Sequence, residues 1–295
     1  MELRHIRYFI KASELLHFTR AAEALYISQP TLSIHIQQLE DELGTELFAR
    51  VGRRVQLTEA GTLLLSRARQ AMHALDMAGE EIDAIKGLLR GTLRVAALPL
   101  FSSILLPDWI TAFNSIHPEV HIQARSGSSE DIETGIISGA IDIGFGMLPV
   151  EHVEINTREL FTNEVVMVAS EKHPLTKKGR LEAADLHALP VALSSHKVAT
   201  ARLLRNYFDE LGIQPRIVVE YDDGNALVTM AKMGALVTFL PKPGFIEDPN
   251  LRLLALPEPG LHFTAIALWT HLSPACKGFL DIVTEQAKNL ERNAS

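Results

Sequence analysis

The sequence contains very little that would crosslink the chain covalently, because Cys276 is the only cysteine among 295 residues. One cysteine excludes an internal disulfide and a cysteine-based zinc site. The sequence also has no apolar run of roughly 18 residues, which excludes a transmembrane helix. Its first residues, MELRHIRYF, lack the basic and apolar regions of a secretory signal. We therefore expect a protein of the cytoplasm with no membrane segment.

An excess of positive charge is also missing. The chain has 28 Lys and Arg against 36 Asp and Glu, a net charge of −8, which argues against non-specific binding of polyanions by the whole molecule. Residues 1–58 are neutral, with seven residues of each sign, so the remainder carries all of the −8. A composition that is 47% hydrophobic and 22% charged is typical of a soluble globular protein. At this length we expect two or three domains.

Patterns of catalysis and metal binding are absent as well. The twelve histidines do not cluster. His117 and His121 are four residues apart, but Pro118 lies between them, so they cannot form a pair of metal ligands on one face of a helix. The chain has no glycine-rich phosphate loop, and GSSED lacks the second glycine of a nucleophile elbow. His196 and Asp222 lie near serines in sequence, but a triad is recognised only by geometry. We predict no metal site, no cofactor and no enzymatic activity.

Residues 27–44, ISQPTLSIHIQQLEDELG, carry the strongest local pattern. Ser28 is a good helix N-cap, and Pro30 suits the first turn. The predicted inner stripe is Leu32, Ile36, Leu39 and Leu43. The opposite face is polar and barely charged in its first two turns: Pro30, Ile34, Gln37, Gln38 and Asp41, flanked by Thr31 and Ser33. Amides and hydroxyls there suit base edges in a DNA major groove, although an ordinary amphipathic surface helix gives the same pattern.

The surrounding residues favour DNA binding. Residues 1–16 are predicted to form one helix, and Thr19 is predicted to cap a short second helix, so that residues 27–44 complete a helix-turn-helix. Residues 47–58 then resemble a β-ribbon that turns at Gly52, with Arg50, Arg53 and Arg54 at or near its tip. Arginines there could contact phosphates or the minor groove. A solvated charged turn is the alternative.

A long helix follows, with Thr58 as its predicted cap. Apolar residues recur along it at spacings of four and three, which is the heptad pattern of paired helices. We therefore predict dimerisation through this helix, against the alternative that it packs only on its own domain. The seam consists of Leu64, Ala68, Ala71, Leu75, Ala78, Ile82 and Ile85.

From Gly91 onward, strand and helix patterns alternate, which predicts a mostly parallel sheet with helices on its faces. The predicted strands are residues 92–98, 120–125, 141–145, 164–169, 189–193, 217–221, 235–240 and 262–270. The predicted helices are residues 102–117, 129–138, 181–187, 198–211, 225–233 and 274–289. Two α/β lobes fit this span.

The whole chain resembles the LysR-type transcriptional regulators. The run FTRAAEALYISQPTLSIHIQQLEDELGTELFARVGRRVQLTEAG matches the family's N-terminal signature, and LLPDWITAFNSIHPEV, GAIDIGFG and TFLP match landmarks of its regulatory domain. PLFSS and GFGMLP are somewhat similar to regulators of cyanate or aromatic-acid catabolism. The resemblance implies an α/β protein with an all-α-rich N-terminal head, in which a winged helix-turn-helix and a linker helix precede a two-lobed domain like the periplasmic solute-binding proteins.

The resemblance also divides the chain and assigns roles to residues. The implied domains are 1–58 for DNA binding, 59–89 for the linker and 90–295 for the effector, with lobe I at 90–161 and 266–295 and lobe II at 162–265. Gln29, Pro30, Thr31 and Ser33 match the family's groove contacts, Thr19 a phosphate contact and Arg53 the wing arginine. Our full predicted DNA-binding set is Thr19, Ser28, Gln29, Pro30, Thr31, Ser33, Ile34, Gln37, Arg50, Arg53 and Arg54.

The effector site is predicted at the carboxyl ends of the strands, where helix N-termini present free amides. Serine- and threonine-rich helix starts there suit a small anion such as a carboxylate, although Asp222 and Asp223 oppose some anions. Each serine alone is explained equally well as a helix cap. The predicted residues are Pro99, Phe101, Ser102, Ser103, Ser128, Ser129, Ser195, His196, Thr200, Arg202 and Asn225.

Taken together, the sequence predicts a sequence-specific DNA-binding regulator that is switched by a small, anionic effector. Its expected partners are double-stranded DNA with a partly palindromic operator, the effector and a second copy of the chain. The family resemblance adds a homotetramer and RNA polymerase as further candidates. Two alternatives stay open: an enzyme built on the two lobes, and a constitutive architectural repressor that ignores ligands.

Ile34 departs from the family pattern, which commonly has a basic or polar residue after the serine of this motif. An apolar side chain on the outer face can contact a thymine methyl group. We predict that Ile34→Arg tightens binding to non-specific DNA and blurs the preference among operator variants. A binding assay across such variants tests this, and an unchanged preference contradicts it.

Overall fold

The computed structural model describes residues 1–51, 54–85, 89–195, 198–242 and 248–292. The contacts between residues divide the chain into two compact units. Unit 1 comprises residues 1–79 with 138–140, and unit 2 comprises residues 80–137 with 141–295. No helix among the described residues is both long and apolar enough to cross a membrane.

Unit 1 begins with three helices: α1 (Leu3–Leu15), α2 (Phe18–Ala24) and α3 (Gln29–Leu43). Their apolar faces share one core with the segment that follows and with the next helix, made of Ile6, Phe9, Ala12, Ala21, Ala22, Leu32, Ile36, Leu39, Leu47 and Ala68. The helix-turn-helix and the predicted bounds of α3 are confirmed. The Ser28 hydroxyl accepts a hydrogen bond from the Thr31 amide at 3.2 Å, and Gly44 ends the helix with φ +68°.

Two details predicted for these helices are wrong. The N-cap of α2 is His17 rather than Thr19, because the His17 Nδ1 atom accepts the Arg20 amide at 3.4 Å, and Thr19 lies inside the first turn. Leu43, predicted on the buried stripe, is 41% exposed. The core under α3 ends at Leu39, and the chain turns away directly after Leu43.

The ribbon and the start of the long helix are confirmed. Strand β1 (Phe48–Val51) pairs antiparallel with β2 (Arg54–Leu57), and residues 52–53 between them lie outside the described residues. Helix α4 (Glu59–Ile85) follows directly. The Thr58 hydroxyl caps it by accepting a hydrogen bond from the Gly61 amide at 2.9 Å.

The peptide groups of Leu47 join α3, the ribbon and α4. A carboxylate oxygen of Glu40, on α3, accepts hydrogen bonds from the backbone amides of Leu47 at 2.7 Å and Phe48 at 3.2 Å. The Leu47 carbonyl accepts the Thr58 amide at 3.0 Å. A Cβ atom on Gly61 would lie 2.1 Å from that same carbonyl oxygen. Only glycine allows α4 to pass so close to Leu47.

Unit 2 alternates strands and helices as predicted. Its first elements are β3 (Gly91–Ala97), α5 (Pro99–Ile104), α6 (Leu106–Ile116), β4 (Val120–Ser126), α7 (Ser129–Ile137), β5 (Ile143–Met147) and β6 (Asn156–Ser170). After a 3-10 turn (Pro174–Lys177) come α8 (Ala183–Leu186), β7 (Pro190–Leu193), α9 (Ala199–Glu210), β8 (Arg216–Glu220), α10 (Gly224–Lys232), β9 (Thr238–Pro241), β10 (Leu251–Ala255), β11 (His262–Trp269) and α11 (Pro274–Arg292). The helix predicted at 102–117 starts earlier and is divided into α5 and α6, and β10 was not predicted.

The prediction of a mostly parallel sheet is wrong, because the main sheet is mixed. Its order is β10-β6-β11-β5-β3-β4, with β9 also on β6, and β7 pairs with β8 in a separate sheet. Within the main sheet, β3 runs parallel to β4 and β5, whereas β6, β9, β10 and β11 join antiparallel. Both predicted lobe boundaries fall inside β6 and β11, so these two strands run through both lobes.

Aromatic side chains fill the core on both sides of these strands. The Phe113 and Phe279 rings meet edge-to-face at 5.3 Å, and so do Phe208 and Phe239. Tyr207 is buried on α9, and its hydroxyl donates a 2.5 Å hydrogen bond to the Pro257 carbonyl. Burial raises the pKa of Tyr207 to about 12. This contact ties α9 to the segment between β10 and β11.

We predict that Gly61→Ala lowers the free energy of unfolding by about 3 kcal/mol or more, because the new methyl group must displace the Leu47 carbonyl or α4. Gly79→Ala is the matched control, since a Cβ there meets nothing within 4 Å. In a helix interior this change should stabilise by up to about 1 kcal/mol. Urea unfolding of the full chain measures both variants, and equal stability would contradict the close approach at Leu47.

Candidate nucleic-acid interface and ligand cavity

The outer face of α3 is open to solvent. Gln29, Pro30, Ile34 and Gln37 are exposed, and Thr31 and Ser33 are half-buried. Ile34 is 57% exposed. The predicted reading face therefore lies on the accessible side of the helix.

Hydrogen bonds along α3 orient this polar face. The Gln29 amide nitrogen donates to the Ser33 hydroxyl at 2.7 Å, and the Gln37 amide nitrogen donates to Asp41 at 2.9 Å. Both amides keep a free carbonyl oxygen and a second N–H for base edges. The side chains are thus partly ordered before DNA arrives, which reduces the entropy lost on binding.

His35, next to Ile34 in sequence, faces the head instead of the solvent. Its ring lies 5.1 Å from the ring of His5 and 5.2 Å from that of Tyr8, both on α1. Its Nδ1 atom and the Gln38 side-chain oxygen are 3.2 Å apart. His35 therefore helps to seat α3 on α1, and Ile34 is left as the apolar residue of the reading face.

Acidic residues crowd the end of α3, and besides Asp41, which accepts the Gln37 amide, two more of them have partners in the head. Glu40 accepts the Leu47 and Phe48 amides, and Glu42 pairs with the N-terminal ammonium group of Met1. These partners offset part of their negative charge.

The remaining predicted DNA contacts are less fully described. Thr19 is exposed in the first turn of α2, and Ser28 is exposed at the start of α3. Arg50 lies in β1 and Arg54 in β2, but their side chains, and all of Arg53, lie outside the described residues. Their DNA contacts stay a prediction.

The seam of α4 has two parts. Leu64 is half-buried and Ala68 is buried, and both belong to the core of the head. Ala71 and Ala78 are exposed, and Leu75 and Ile82 are 53% and 54% exposed. The Ile85 side chain lies outside the described residues. The first two positions therefore serve the fold of unit 1, while the later ones leave a stripe of apolar surface uncovered in the single chain.

Unit 2 contains a cavity of about 750 Å³ at the carboxyl ends of its strands. Of the predicted residues, Pro99, Phe101, Ser103, Ser128, Thr200 and Asn225 line it. The other lining residues are Leu98, Leu100, Ile104, Ser126, Met147, Ser194, Val198, Ala199, Asp222, Asp223, Gly224, Val228, Leu240, Pro241, Asp248 and Leu251. The strand-end rule therefore located the cavity, and the wall is more apolar than predicted.

Four predicted residues do not line the described cavity. Ser102 is not part of the cavity wall, although the other residues of α5 from Pro99 to Ile104 line it. Ser129 follows Ser128 in sequence but does not line the cavity, and Arg202 is exposed on α9. Ser195 lies behind Asp222, to which its amide and hydroxyl donate at 2.6 and 2.9 Å. His196 lies outside the described residues.

Most polar groups of the wall already have partners. The Ser128 hydroxyl donates to Asp131 at 2.6 Å, and with the Ser128 backbone amide it lowers the pKa of Asp131. This pair caps α7. Asp223 likewise caps α10 by accepting the Asn225 and Ala226 amides.

The third aspartate of the wall, Asp248, is balanced by a cation. It accepts a 2.6 Å hydrogen bond from Lys232. This bond, with those from Asn250, lowers the pKa of Asp248 to about 2.

The start of α9 differs from the starts of α7 and α10. Its N-cap residue is Val198, whose side chain makes no capping hydrogen bond, and Val198, Ala199 and Thr200 all line the cavity. The first amides of a helix carry a partial positive charge and need acceptors. Among the described residues, α9 is the one helix longer than two turns that begins in the cavity wall without a side-chain cap.

Two protein families match the chain, and together they cover both units. Residues 3–62 match the bacterial regulatory helix-turn-helix protein family of lysR type. Residues 86–288 match the LysR substrate binding domain. The chain is a LysR-type transcriptional regulator. It follows that unit 1 carries the DNA-binding head, that unit 2 is the effector-binding domain, and that the regulator is not an enzyme.

Relatives of this LysR-type regulator support the same conclusion. The chain is 32% identical over 295 residues to the Hca operon transcriptional activator HcaR of Escherichia coli, covering 97% of this chain and 98% of the relative. It is 31% identical over 247 residues to the transcriptional regulator AlsR of Bacillus subtilis, covering 82% of this chain and 80% of the relative.

Solved structures share the fold along nearly the whole chain. Full-length OxyR from Pseudomonas aeruginosa superposes with a TM-score of 0.80 at 22% identity, covering 98% of this chain and 95% of that one. Full-length CbnR complexed with its target DNA superposes with a TM-score of 0.69 at 23% identity, covering 97% of this chain and 100% of that one.

Sequence reasoning missed the apolar part of the cavity wall. Met147, Val228, Leu240 and Leu251 come from four different elements and carry no polar signal of their own. The ends of β5 and β9 were the available clue, since Met147 and Leu240 lie there.

Proposed function

We propose that this regulator reads a partly palindromic operator as a dimer and is switched by a small monoanionic effector in the cavity of unit 2. The effector has an apolar body and one carboxylate-like group. The observation that carries this proposal is the α9 start, which faces the cavity without a side-chain cap.

The size and composition of the cavity suit a small organic molecule. Ligand sites of about 300–1,000 Å³ with mostly apolar walls and a few polar groups hold metabolite-sized molecules. Here Phe101, Met147 and Leu240 supply apolar surface, and Thr200 supplies a hydroxyl. The location at strand ends is the usual one in α/β sheets.

The charge of the effector follows from which polar groups are free. The amides at the start of α9 would receive a carboxylate, with the Thr200 hydroxyl as an additional donor. Asp222 and Asp223 in the same wall already accept hydrogen bonds, and their negative charge disfavours a second anionic group nearby. A monoanion therefore fits better than a dianion.

Dimerisation is supported by the exposed part of the α4 seam. Leu75 and Ile82 lie seven residues apart and leave more than half of each side chain in solvent. Two such helices in contact would bury these side chains, with Ala71 and Ala78 allowing a close approach. Two heads would then bind two half-sites, which raises the affinity for DNA although each head carries no net charge.

Switching requires that the effector bind one arrangement of the protein better than another. Strands β6 and β11 run through both lobes and form the connection across which the lobes can change their relative position. We propose that this change alters the bend or spacing of the bound DNA. Contacts with RNA polymerase, and tetramers, are further steps that this mechanism would accommodate.

We predict that small monocarboxylates bind more tightly than the corresponding amides. We also predict that Thr200→Val lowers the affinity for the carboxylate about tenfold or more, since a hydrogen bond to a charged group contributes about 1.5–3 kcal/mol. Isothermal titration of the full chain with benzoate and benzamide, and with hexanoate and hexanamide, measures this. Thr111→Val, on α6 and not among the residues that line the cavity, is the matched control. Acids and amides that bind equally would contradict an anionic effector, and a protein that represses without any ligand response would favour the constitutive repressor.

We predict that Leu75→Asp and Ile82→Asp each shift the protein toward monomer, because carboxylates would face each other across the seam. Leu63→Asp is the control, since Leu63 is 64% exposed on the same helix but lies off the seam. Sedimentation velocity at micromolar concentration measures the association state. Dissociation by Leu63→Asp alone would place the interface on another face of α4.

A further inference from the structure

The turn between α2 and α3 contains a residue that the fold itself does not need. The Ile27 amide donates to the Ala22 carbonyl at 3.0 Å, and the Tyr26 amide donates to the Glu23 carbonyl at 3.1 Å. These two bonds form a Schellman-type helix end, which requires a left-handed residue at its centre. That residue is Tyr26, with φ +56°.

Tyrosine is an unfavourable choice at this position. Glycine and asparagine are usual there, because a Cβ atom and a bulky side chain disfavour the left-handed region. Ile27 supplies the packing of this turn and contacts the core of the head. Tyr26 is 96% exposed, and among the described residues its side chain has no hydrogen-bond or ring partner. Nothing in the described part of unit 1 compensates for the strained aromatic residue.

The position of Tyr26 suggests what the side chain is for. It stands two residues before Ser28, the N-cap of α3, and the next exposed residues are Ser28 and Gln29. A reading helix presents its N-terminal residues to the base edges in the major groove. The turn directly before that helix then lies at the rim of the groove, beside the phosphates, to which tyrosine hydroxyls commonly donate.

We propose that the Tyr26 hydroxyl donates a hydrogen bond to a phosphate of the DNA backbone at the rim of the groove that α3 reads. The contact strengthens binding to every sequence. A phenol is neutral, so the contact displaces no counterion and leaves the salt dependence of binding unchanged.

Fluorescence anisotropy with the full chain tests this proposal on two probes. One is a 60-base-pair duplex of arbitrary sequence, and the other is a duplex selected from a randomised pool by the wild-type protein. Tyr26→Phe removes only the hydroxyl. Tyr26→Asn removes the side chain and keeps a residue that tolerates the left-handed turn. Tyr221→Phe, on a half-exposed tyrosine of unit 2, is the matched control.

We expect Tyr26→Phe and Tyr26→Asn to weaken binding several-fold on both duplexes, with an unchanged slope of log affinity against log salt. The unfolding temperature of Tyr26→Asn should equal or exceed that of wild type, and Tyr221→Phe should bind normally. Wild-type affinity of Tyr26→Phe overturns the proposal. A loss confined to the selected duplex also overturns it, because that result would indicate a base contact, and so does a lowered unfolding temperature in Tyr26→Phe.

Discussion

The arrangement of the DNA-binding head depends on the peptide groups of Leu47. Through them the Glu40 carboxylate holds α3 to the ribbon, and the Thr58 amide holds α4 to the same place. Gly61 permits the approach by having no Cβ atom. Helix α3, the ribbon and the start of α4 are thus positioned by one group of hydrogen bonds around Leu47. Glu40, one of the acidic residues at the end of α3, is therefore an anchor of the fold.

In the effector-binding domain, the proposed ligand contact depends instead on backbone amides that no side chain caps. Serine and aspartate caps satisfy the starts of α7 and α10, and Lys232 balances Asp248. Capped helix starts have little left to offer a ligand, whereas the start of α9 has amides that need an acceptor. The same logic applies to Tyr26 in the head. In both places a group that the fold leaves unsatisfied or unused points to a partner outside the chain.

Several features were predictable from sequence because short-range hydrogen bonds determine them. Ser28, Gly44 and Thr58 occupy the capping positions that their chemistry indicates. The errors have physical reasons too. Histidine is an unusual N-cap, so His17 was overlooked in favour of Thr19. The first four residues of β6 are exposed and polar. Only its apolar end, residues 164–169, therefore carries a strand signal, and the sequence does not reveal the antiparallel crossing between the lobes.

The sequence by itself therefore determined the order of the helices and most strands, the caps at Ser28, Gly44 and Thr58, the heptad stripe and membership of the LysR family, since these depend on residues close together in the chain. Only the tertiary structure decided the direction of strand pairing, the apolar wall of the cavity, the division of α4 into a buried and an exposed part, and the isolation of Tyr26. Each of these depends on which distant residues cover a given surface. Periodicity shows that a face is apolar or polar, but it does not show what lies against it.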